Sequence, residues 1–203
     1  MSDRETQMHG IAAMLADAGT ERDVIEAVLR LDALMQTWRR RFTKRELGTQ
    51  ALRDLGLDID LAQLDVLAAV EAPVHEFGET QGEETMISTV AARLGIDPSR
   101  ASRLTADLVD RGYLRRAVSQ ADSRRTIIEL TPRGEQVIEA VRRYKFLLMG
   151  DYFGEWDASE LQSFLPMLER FSAWTDDLES RRQKFSGPIA ALAKSVRQPE
   201  TVE

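Results

Sequence analysis

The sequence predicts a mainly α-helical fold with one small β-hairpin, an α+β winged helix flanked by further helices at both ends. Three observations lead to this prediction. Two short amphipathic segments are separated by a tight turn that begins with glycine, which is typical of a helix-turn-helix. Two short β-prone runs follow them around a polar turn. Longer segments with apolar residues at helical spacing precede and follow this region, which is centred on roughly 86–131.

Length and composition limit the classes of protein to consider. The 203 residues are enough for one sizeable core with helical extensions, and the 43% hydrophobic and 30% charged content is ordinary for a globular chain. No apolar run approaches the ~20 residues needed to span a bilayer. Residues 1–17 lack the pattern of a secretion signal, and the chain has no cysteine for a disulfide or a thiolate metal site. We therefore expect a cytoplasmic protein without cofactor, metal ion or membrane partner.

The N-terminal third is expected to be helical. Residues 1–19 form an extension with a short helix, and a longer helix starts near Thr20 within a dimerisation segment at 20–58. Apolar residues recur there at spacings of four and three, which suits packing against other helices or a second subunit. These residues are Val24, Val28, Leu31, Met35, Trp38 and Phe42.

Residues 59–133 are predicted to form the winged helix-turn-helix domain. A helix at 61–71 ends before Pro73, and the Gly- and Glu-rich stretch 74–84 is expected to be a loop. The first short helix, at about 87–94, closes at Gly95. The next begins with Asp97 as N-cap and Pro98 as its first residue, and ends at Gly112. The β-hairpin pairs 113–119 with 125–131.

The C-terminal third is predicted to contain more dimerisation helices, at 134–185. One long helix starts at Thr131-Pro132 and runs to about Tyr152. A second begins at Asp157, with Glu160 completing a capping box, and extends to about Leu178. The remaining residues, 186–203, are assigned to a flexible tail because Pro188 and Pro199 interrupt regular structure.

Charge is distributed unevenly along the chain. The net charge is −7, but residues 98–133 contain eight arginines and only four acidic side chains. This segment therefore carries +4 and the remainder −11. A basic segment on an acidic body suits a protein that presents one face to a polyanion. Arginines on solvated faces are an equally ordinary explanation when charge is considered alone.

The second short helix has the residue types of a helix that enters the major groove of DNA. One face is expected to be buried, through Ala101, Leu104, Thr105 and Leu108. The other offers hydroxyls and arginines, which bond phosphates and base edges. The alternative is that Arg103 and Arg111 only pair with Asp107 on the same helix.

The turn of the hairpin carries two more arginines, Arg124 and Arg125. An arginine on a narrow protrusion suits the minor groove, whose potential attracts it. Asp122 is expected either to brace Arg124 or to hold the turn. An Asx-turn with solvated arginines is the alternative.

Four segments closely resemble the MarR family, the multiple-antibiotic-resistance regulators: Val90–Leu104, Leu108–Arg116, Asp122–Arg125 and Leu130–Gly134. The Asp-x-Arg and Leu-Thr-x-x-Gly patterns of the last two are the more specific. The resemblance spans roughly 24–180 and is strongest over 60–135. It implies a homodimeric transcription regulator, a repressor in the family's usual sense, that binds double-stranded DNA through a recognition helix at 98–111 and a wing.

The resemblance also implies a small-molecule effector, and the residues themselves suggest where DNA and that effector bind. The DNA-binding candidates are Pro98, Ser99, Arg100, Ser102, Arg103, Arg116, Asp122, Arg124 and Arg125. A small effector, often an aromatic acid, is expected to release the protein from a pseudo-palindromic operator. We expect its pocket between the dimer helices and the reading head, with Met35, Trp38 and Leu67 as candidate walls and Arg39 or Arg41 as the candidate anion contact. The alternative is that Met35 and Trp38 are core residues. Redox sensing through cysteine is excluded, because the chain has none.

Two other classes of function fit the sequence less well. An enzyme is disfavoured, because the two histidines, His9 and His75, have no metal-ligand spacing and the sequence lacks a phosphate loop or a nucleophile elbow. A protein-interaction module built on a winged helix would not need the exposed Ser99, Arg103 and Arg124. Salt-sensitive binding to a duplex would separate that module from a DNA-binding protein.

Overall fold

The computed structural model describes residues 3–72 and 84–197, with side chains from residue 8 onward except at 42 and 43. The chain divides into a first compact unit up to Leu147 and a second from Leu148. Most of the expected loop at 74–84, and the side chain of Phe42, lie outside the described part. None of the described helices is long and apolar enough to cross a membrane.

Ten helices and two strands are present in the described residues. The helices of the first half are α1 Asp3–Asp17, α2 Arg22–Lys44, α3 Glu46–Asp54, α4 Leu61–Glu71, α5 Ile87–Leu94 and α6 Pro98–Asp110. The hairpin strands are β1 Leu114–Val118 and β2 Thr126–Leu130. The remaining helices are α7 Pro132–Gly154, α8 Ala158–Ser172, α9 Leu178–Lys184 and α10 Ser186–Arg197. The predicted winged-helix fold is confirmed.

The segment 20–58 contains two helices where the sequence analysis placed one dimerisation helix. Arg45 interrupts them with a φ of 50°, in the left-handed region that residues other than glycine rarely adopt. Its guanidinium forms an ion pair with Asp65 of α4, with Nη1 2.6 Å from Oδ2. After the break, α3 buries Ala51 and Leu52. The second half of the segment therefore contributes to the core of the first unit.

The core of the first unit lies between α4, α5, α6 and the hairpin. Its largest fully buried side chains are Leu67, Leu108, Leu114, Val66, Val90 and Thr105. Burying a leucine or a valine stabilises a fold by about 1.5–3 kcal/mol. This cluster therefore fixes α6 and the hairpin on one rigid body.

The helix-turn-helix forms as its local signals predict. Gly95 closes α5 with a φ of 60°, and α6 starts two residues after Ile96 with Pro98 in its first turn. The Asp97 carboxylate accepts a hydrogen bond from the Ser99 amide at 2.8 Å. These contacts satisfy backbone donors that an isolated helix start leaves free.

The hairpin pairs β1 and β2 antiparallel, with Leu114 opposite Leu130 and Val118 opposite Thr126. On the other side of β2, the Ile128 amide donates to the carbonyl of Thr85 at 2.7 Å. The segment just before α5 therefore holds the hairpin against the helix-turn-helix.

The Leu-Thr-x-x-Gly pattern has a packing reason. The Thr131 hydroxyl donates to the carbonyl of Gly112 at 2.8 Å, and the Gly134 amide donates to that hydroxyl at 3.2 Å. A Cβ at Gly134 would lie 2.3 Å from the Tyr113 carbonyl oxygen, far closer than real contacts. The start of α7 can approach the start of β1 only because position 134 has no side chain.

The second unit differs from the prediction in two places. The final predicted helix ends at Ser172 and is followed by a 3₁₀ turn, Ala173–Thr175, so it does not reach Leu178 as one helix. The expected flexible tail contains α10, because Pro188 falls in its first turn, where a proline costs no helical hydrogen bond. At the start of the unit, the Trp156 and Phe164 rings pack edge to face at 5.2 Å.

Candidate nucleic-acid interface

The start of α6 presents the predicted polar face to solvent. Pro98, Ser99, Arg100 and Arg103 are exposed, and Ser102 is half-buried. The hydroxyl of Ser99 donates to the Asp97 carboxylate, and this bond is the main reason why the pKa of Asp97 is lowered. The Ser99 hydroxyl proton is therefore engaged in the helix cap, while its oxygen still has lone pairs for a donor.

The opposite face of α6 is buried as predicted. Ala101, Thr105 and Leu108 are fully buried, and Leu104 is half-buried. Burial on this side leaves the line from Ser99 to Arg103 facing away from the core. Arg103 thus occupies the exposed position that reading a base edge requires.

Asp107 pairs with only one of the two arginines considered for it. Arg111 Nη1 lies 3.6 Å from Asp107, and Arg111 Nη2 lies 3.1 Å from Asp58. Asp107 also accepts a hydrogen bond from the Gln63 amide group. Arg103 makes no ion pair with Asp107 or with any other described residue. The intrahelical alternative therefore holds for Arg111 and fails for Arg103.

The eight arginines of residues 98–133 separate into two groups. Four are held by neighbours in the fold, by ion pairs or by bonds to backbone oxygen: Arg111, Arg115, Arg125 and Arg133. The side chains of the other four make no hydrogen bond or ion pair with any residue in 3–72 or 84–197: Arg100, Arg103, Arg116 and Arg124. All four are exposed. The unpaired group contains each arginine predicted to bind DNA except Arg125.

Asp122 holds the turn of the wing. Its Oδ1 accepts a hydrogen bond from the Arg124 amide at 3.0 Å, and its Oδ2 lies 3.3 Å from Nε of Arg125. The aspartate therefore forms an Asx-turn and braces Arg125, whereas the guanidinium of Arg124 remains available.

Two residues that sequence reasoning missed shape this region. Gln63 takes part in the N-terminal cap of α4 and also donates a hydrogen bond to Asp107 on α6. The spacing Asp60-x-x-Gln63 is that of a capping box, so the sequence did carry a signal for the cap. Glu84 accepts hydrogen bonds from Ser119 and Gln120 in the wing. No local pattern marked Glu84, because it ends a loop that is rich in Gly and Glu.

The predicted effector residues are not gathered in one place. Leu67 is fully buried in the core, whereas Met35 and Trp38 on α2 are 37% and 44% exposed. Arg39 and Arg41 are exposed on the same helix. The five residues therefore do not form one pocket in the described part of a single chain.

A cavity of about 850 Å³ lies between α3, α4 and α7. Apolar side chains form much of its wall, among them Leu64, Ala68, Ile138 and Val141. Lys145 lies at the cavity with no acidic partner among the described side chains, and its Nζ is 5.1 Å from the centre of the Phe146 ring. No cluster of three or more His, Asp or Glu suited to a metal ion occurs within the described ranges.

Comparisons with known proteins find the same winged-helix fold in MarR family proteins. Residues 78–125 match the model of the MarR family. A MarR family protein from Bacillus stearothermophilus has a similar structure, with a TM-score of 0.58 and 16% identity over 72% of this chain and 94% of its own. RV1404 from Mycobacterium tuberculosis gives a TM-score of 0.56 and 19% identity over 76% and 94% of the two chains.

A third solved structure is MepR of S. aureus bound to ethidium bromide, with a TM-score of 0.51 and 20% identity over 68% of this chain and 94% of that one. No curated protein matches the chain by sequence. The family match and the structural matches confirm the resemblance to the MarR family and its winged-helix fold.

Proposed function

We propose that this chain, which carries a MarR-like winged helix-turn-helix, is a sequence-specific DNA-binding transcription regulator. One observation supports this proposal above the others. Arg100 and Arg103 on α6, and Arg116 and Arg124 on the hairpin, are exposed and unpaired within the described residues, while their neighbouring arginines are engaged. Exposed cations without protein partners suit a phosphate backbone, and the dipole at the start of α6 adds to the attraction of anions near Arg100 and Arg103.

The two elements have different tasks in this proposal. Helix α6 enters the major groove, where Arg103 reads a base edge and Ser102 and Arg100 contact bases or phosphates. The wing places Arg124 in the adjacent minor groove, with Arg125 and Asp122 shaping the turn. Arg116, on β1, neutralises a phosphate. Base readout thus belongs to α6, whereas the wing adds affinity that depends little on sequence.

The regulator acts as a homodimer. Helix α2 leaves a row of large apolar side chains exposed in the single chain, including Val24, Val28, Leu31 and Trp38. A patch of this kind on a water-soluble monomer indicates an interaction surface. A second copy with the same face buries both, and two-fold symmetry then requires a pseudo-palindromic operator with half-sites about 10 base pairs apart.

An aromatic acid releases the repressor in this proposal. The cavity between α3, α4 and α7 has the apolar walls and sparse charge of a small-molecule site. Lys145 would meet the carboxylate, and Leu64 and Ala68 replace the buried Leu67 as contacts from α4. Met35, Trp38, Arg39 and Arg41 remain candidates on α2, where the dimer partner would complete their surroundings.

A binding isotherm on DNA from the gene's own upstream region tests the function. The protein is titrated against this duplex and a scrambled duplex at three salt concentrations, with and without aromatic carboxylates. We expect tighter binding to the upstream duplex, a steep fall in affinity with salt, and release by at least one carboxylate. Equal, salt-insensitive binding to both duplexes would instead support a protein-interaction module.

A further inference from the structure

We propose that Glu84 is a positioning residue of the wing, which holds the turn in the conformation that presents Arg124. The inference rests on the proposed DNA binding, but its structural half can be tested without DNA. Neither the sequence patterns nor the family match gives this residue a role.

The Glu84 carboxylate uses both oxygens at the base of the turn. Its Oε1 accepts a hydrogen bond from the Gln120 amide at 2.6 Å, and its Oε2 accepts one from the Ser119 hydroxyl. Ser119 is almost fully buried, with 4% of its surface exposed. A buried hydroxyl with a carboxylate acceptor has its proton direction fixed, because no other arrangement satisfies both groups.

The fixed hydroxyl in turn orders the next two peptide groups. Ser119 Oγ accepts hydrogen bonds from the Ala121 amide at 3.1 Å and the Asp122 amide at 2.9 Å. Asp122 then accepts a hydrogen bond from the Arg124 amide at 3.0 Å. A continuous series of hydrogen bonds therefore runs from the Glu84 carboxylate to the backbone of Arg124.

The other end of this series is anchored in the body of the first unit. The neighbouring Thr85 accepts a hydrogen bond from the Ile128 amide through its carbonyl, and one from Arg93 through its hydroxyl at 3.0 Å. Arg93 also donates to the carbonyl of Ala69 at 2.8 Å. Glu84 thus fixes the wing tip relative to α4 and α5, and so sets the distance between Arg124 and the recognition helix.

Because Glu84 is negatively charged, the direction in which DNA affinity changes on its removal tests the proposal. An anion beside a DNA-binding surface repels phosphate, so its removal should strengthen binding if the carboxylate had no other task. If Glu84 positions the turn, its removal should weaken binding, because Arg124 loses its fixed approach. The two explanations predict opposite changes for Glu84→Gln.

Amide hydrogen exchange on the free full-length protein is the first measurement. Gln120 and Asp122 should exchange faster in E84Q than in the parent protein, and at the parent rate in R124A. Unchanged exchange in E84Q would overturn the inference even if the protein binds DNA. If E84Q does not fold, Glu84→Asp replaces it, because aspartate keeps the charge but shortens the reach.

The second measurement is a double-mutant cycle on the upstream duplex. E84Q should weaken binding about five- to tenfold, because one arginine in each subunit no longer reaches the DNA. In an R124A background it should change affinity less than twofold.

Glu129→Gln is the matched control, since it removes an acid from the hairpin without touching the turn, and it should not weaken binding. A gain of affinity by E84Q in both backgrounds would overturn the inference. Failure of the parent protein to bind DNA would refute the proposed function while leaving the exchange result valid.

Discussion

The arginines of the winged helix differ in function according to what surrounds each of them. Arg111 is held by Asp58 and Asp107, and Arg133 donates to the carbonyl of Arg111 and lies over the Tyr113 ring at 4.2 Å. These side chains hold α6, β1 and α7 together. Arg103 and Arg124 have no such task among the described residues, so their effects should appear in DNA binding and not in stability.

Arg103→Ala should reduce both affinity and discrimination. Without its base contact, binding to the cognate site should weaken by about 1–3 kcal/mol, and the difference between cognate and variant sites should flatten. Isotherms on a set of single-base variants measure both quantities. Arg111→Ala is the contrasting variant, because it removes two ion pairs and should lower the melting temperature. If R103A leaves affinity within a factor of two, α6 does not read bases through this residue.

Arg124→Ala should weaken binding to most sequences by similar factors. The minor groove carries little sequence information, so only a preference linked to groove width should change. The salt dependence should also become shallower, by roughly 0.9 in log–log slope for each phosphate that the arginine no longer neutralises. Arg115→Ala is the control, since Arg115 is paired with Glu129 at 2.8 Å. A sequence-selective decrease in R124A would contradict the assignment to the minor groove.

Gly134→Ala should destabilise the first unit although alanine is the better helix former. The new methyl would lie 2.3 Å from the Tyr113 carbonyl oxygen, so backbone must move. Overpacking of this kind costs about 1–3 kcal/mol. Gly150→Ala on the same helix meets nothing within 4 Å and should stabilise the protein by about 0.5–1 kcal/mol. Urea unfolding at fixed protein concentration measures both, and equal effects of the two changes would refute the packing explanation.

At the scale of elements, the sequence predicted those structures that local signals specify. Gly95 and the Asp97-Pro98 pair specify where the first helix of the helix-turn-helix ends and the second begins. The hairpin was predicted from two β-prone runs, with apolar residues among polar ones, on either side of a polar turn. The break at Arg45 was missed because a distant residue, Asp65, binds the arginine that adopts the left-handed conformation. The burial of Leu67, one of the candidate effector residues, was missed for a related reason. Periodicity placed Leu67 on an apolar face without indicating that it would be fully buried.

The wing should show a specific acid dependence. The Ser119 hydroxyl bond is the main cause that lowers the pKa of Glu84 below its ordinary value of 4.5. A lowered folded-state pKa means that the stability from this carboxylate is fully present above about pH 4.5 and disappears as the pH falls through the lower folded-state value. The stability difference between the parent protein and E84Q should therefore be constant at neutral pH and shrink on acidification. A difference that grows below pH 4.5 would contradict the hydrogen-bonded arrangement.

At the scale of the whole molecule, exposed apolar surface and segregated charge lead to the same expectation. Light scattering at micromolar concentration should give a mass near twice 22.9 kDa. Leu31→Glu and Trp38→Glu, which place charge in the exposed row on α2, should shift the mass toward the monomer and weaken operator binding together. Lys44→Glu places a carboxylate at the polar end of that helix, with an even larger change in net charge, and serves as the control. A monomer that binds the operator tightly would contradict the proposed dimer.

The hydrogen bond between Ile128 and Thr85 also protects the hairpin against a hazard of small sheets. A strand with a free edge can pair with another molecule and start aggregation. Here β2 has β1 on one side and Thr85 on the other, so in the described residues the open edge belongs to β1. That strand contains the exposed Arg116, which has no ion pair among the described residues and whose charge opposes edge-to-edge pairing between copies. Arg116, which we propose neutralises a phosphate in the DNA complex, therefore also helps to keep the DNA-free protein from forming intermolecular sheets.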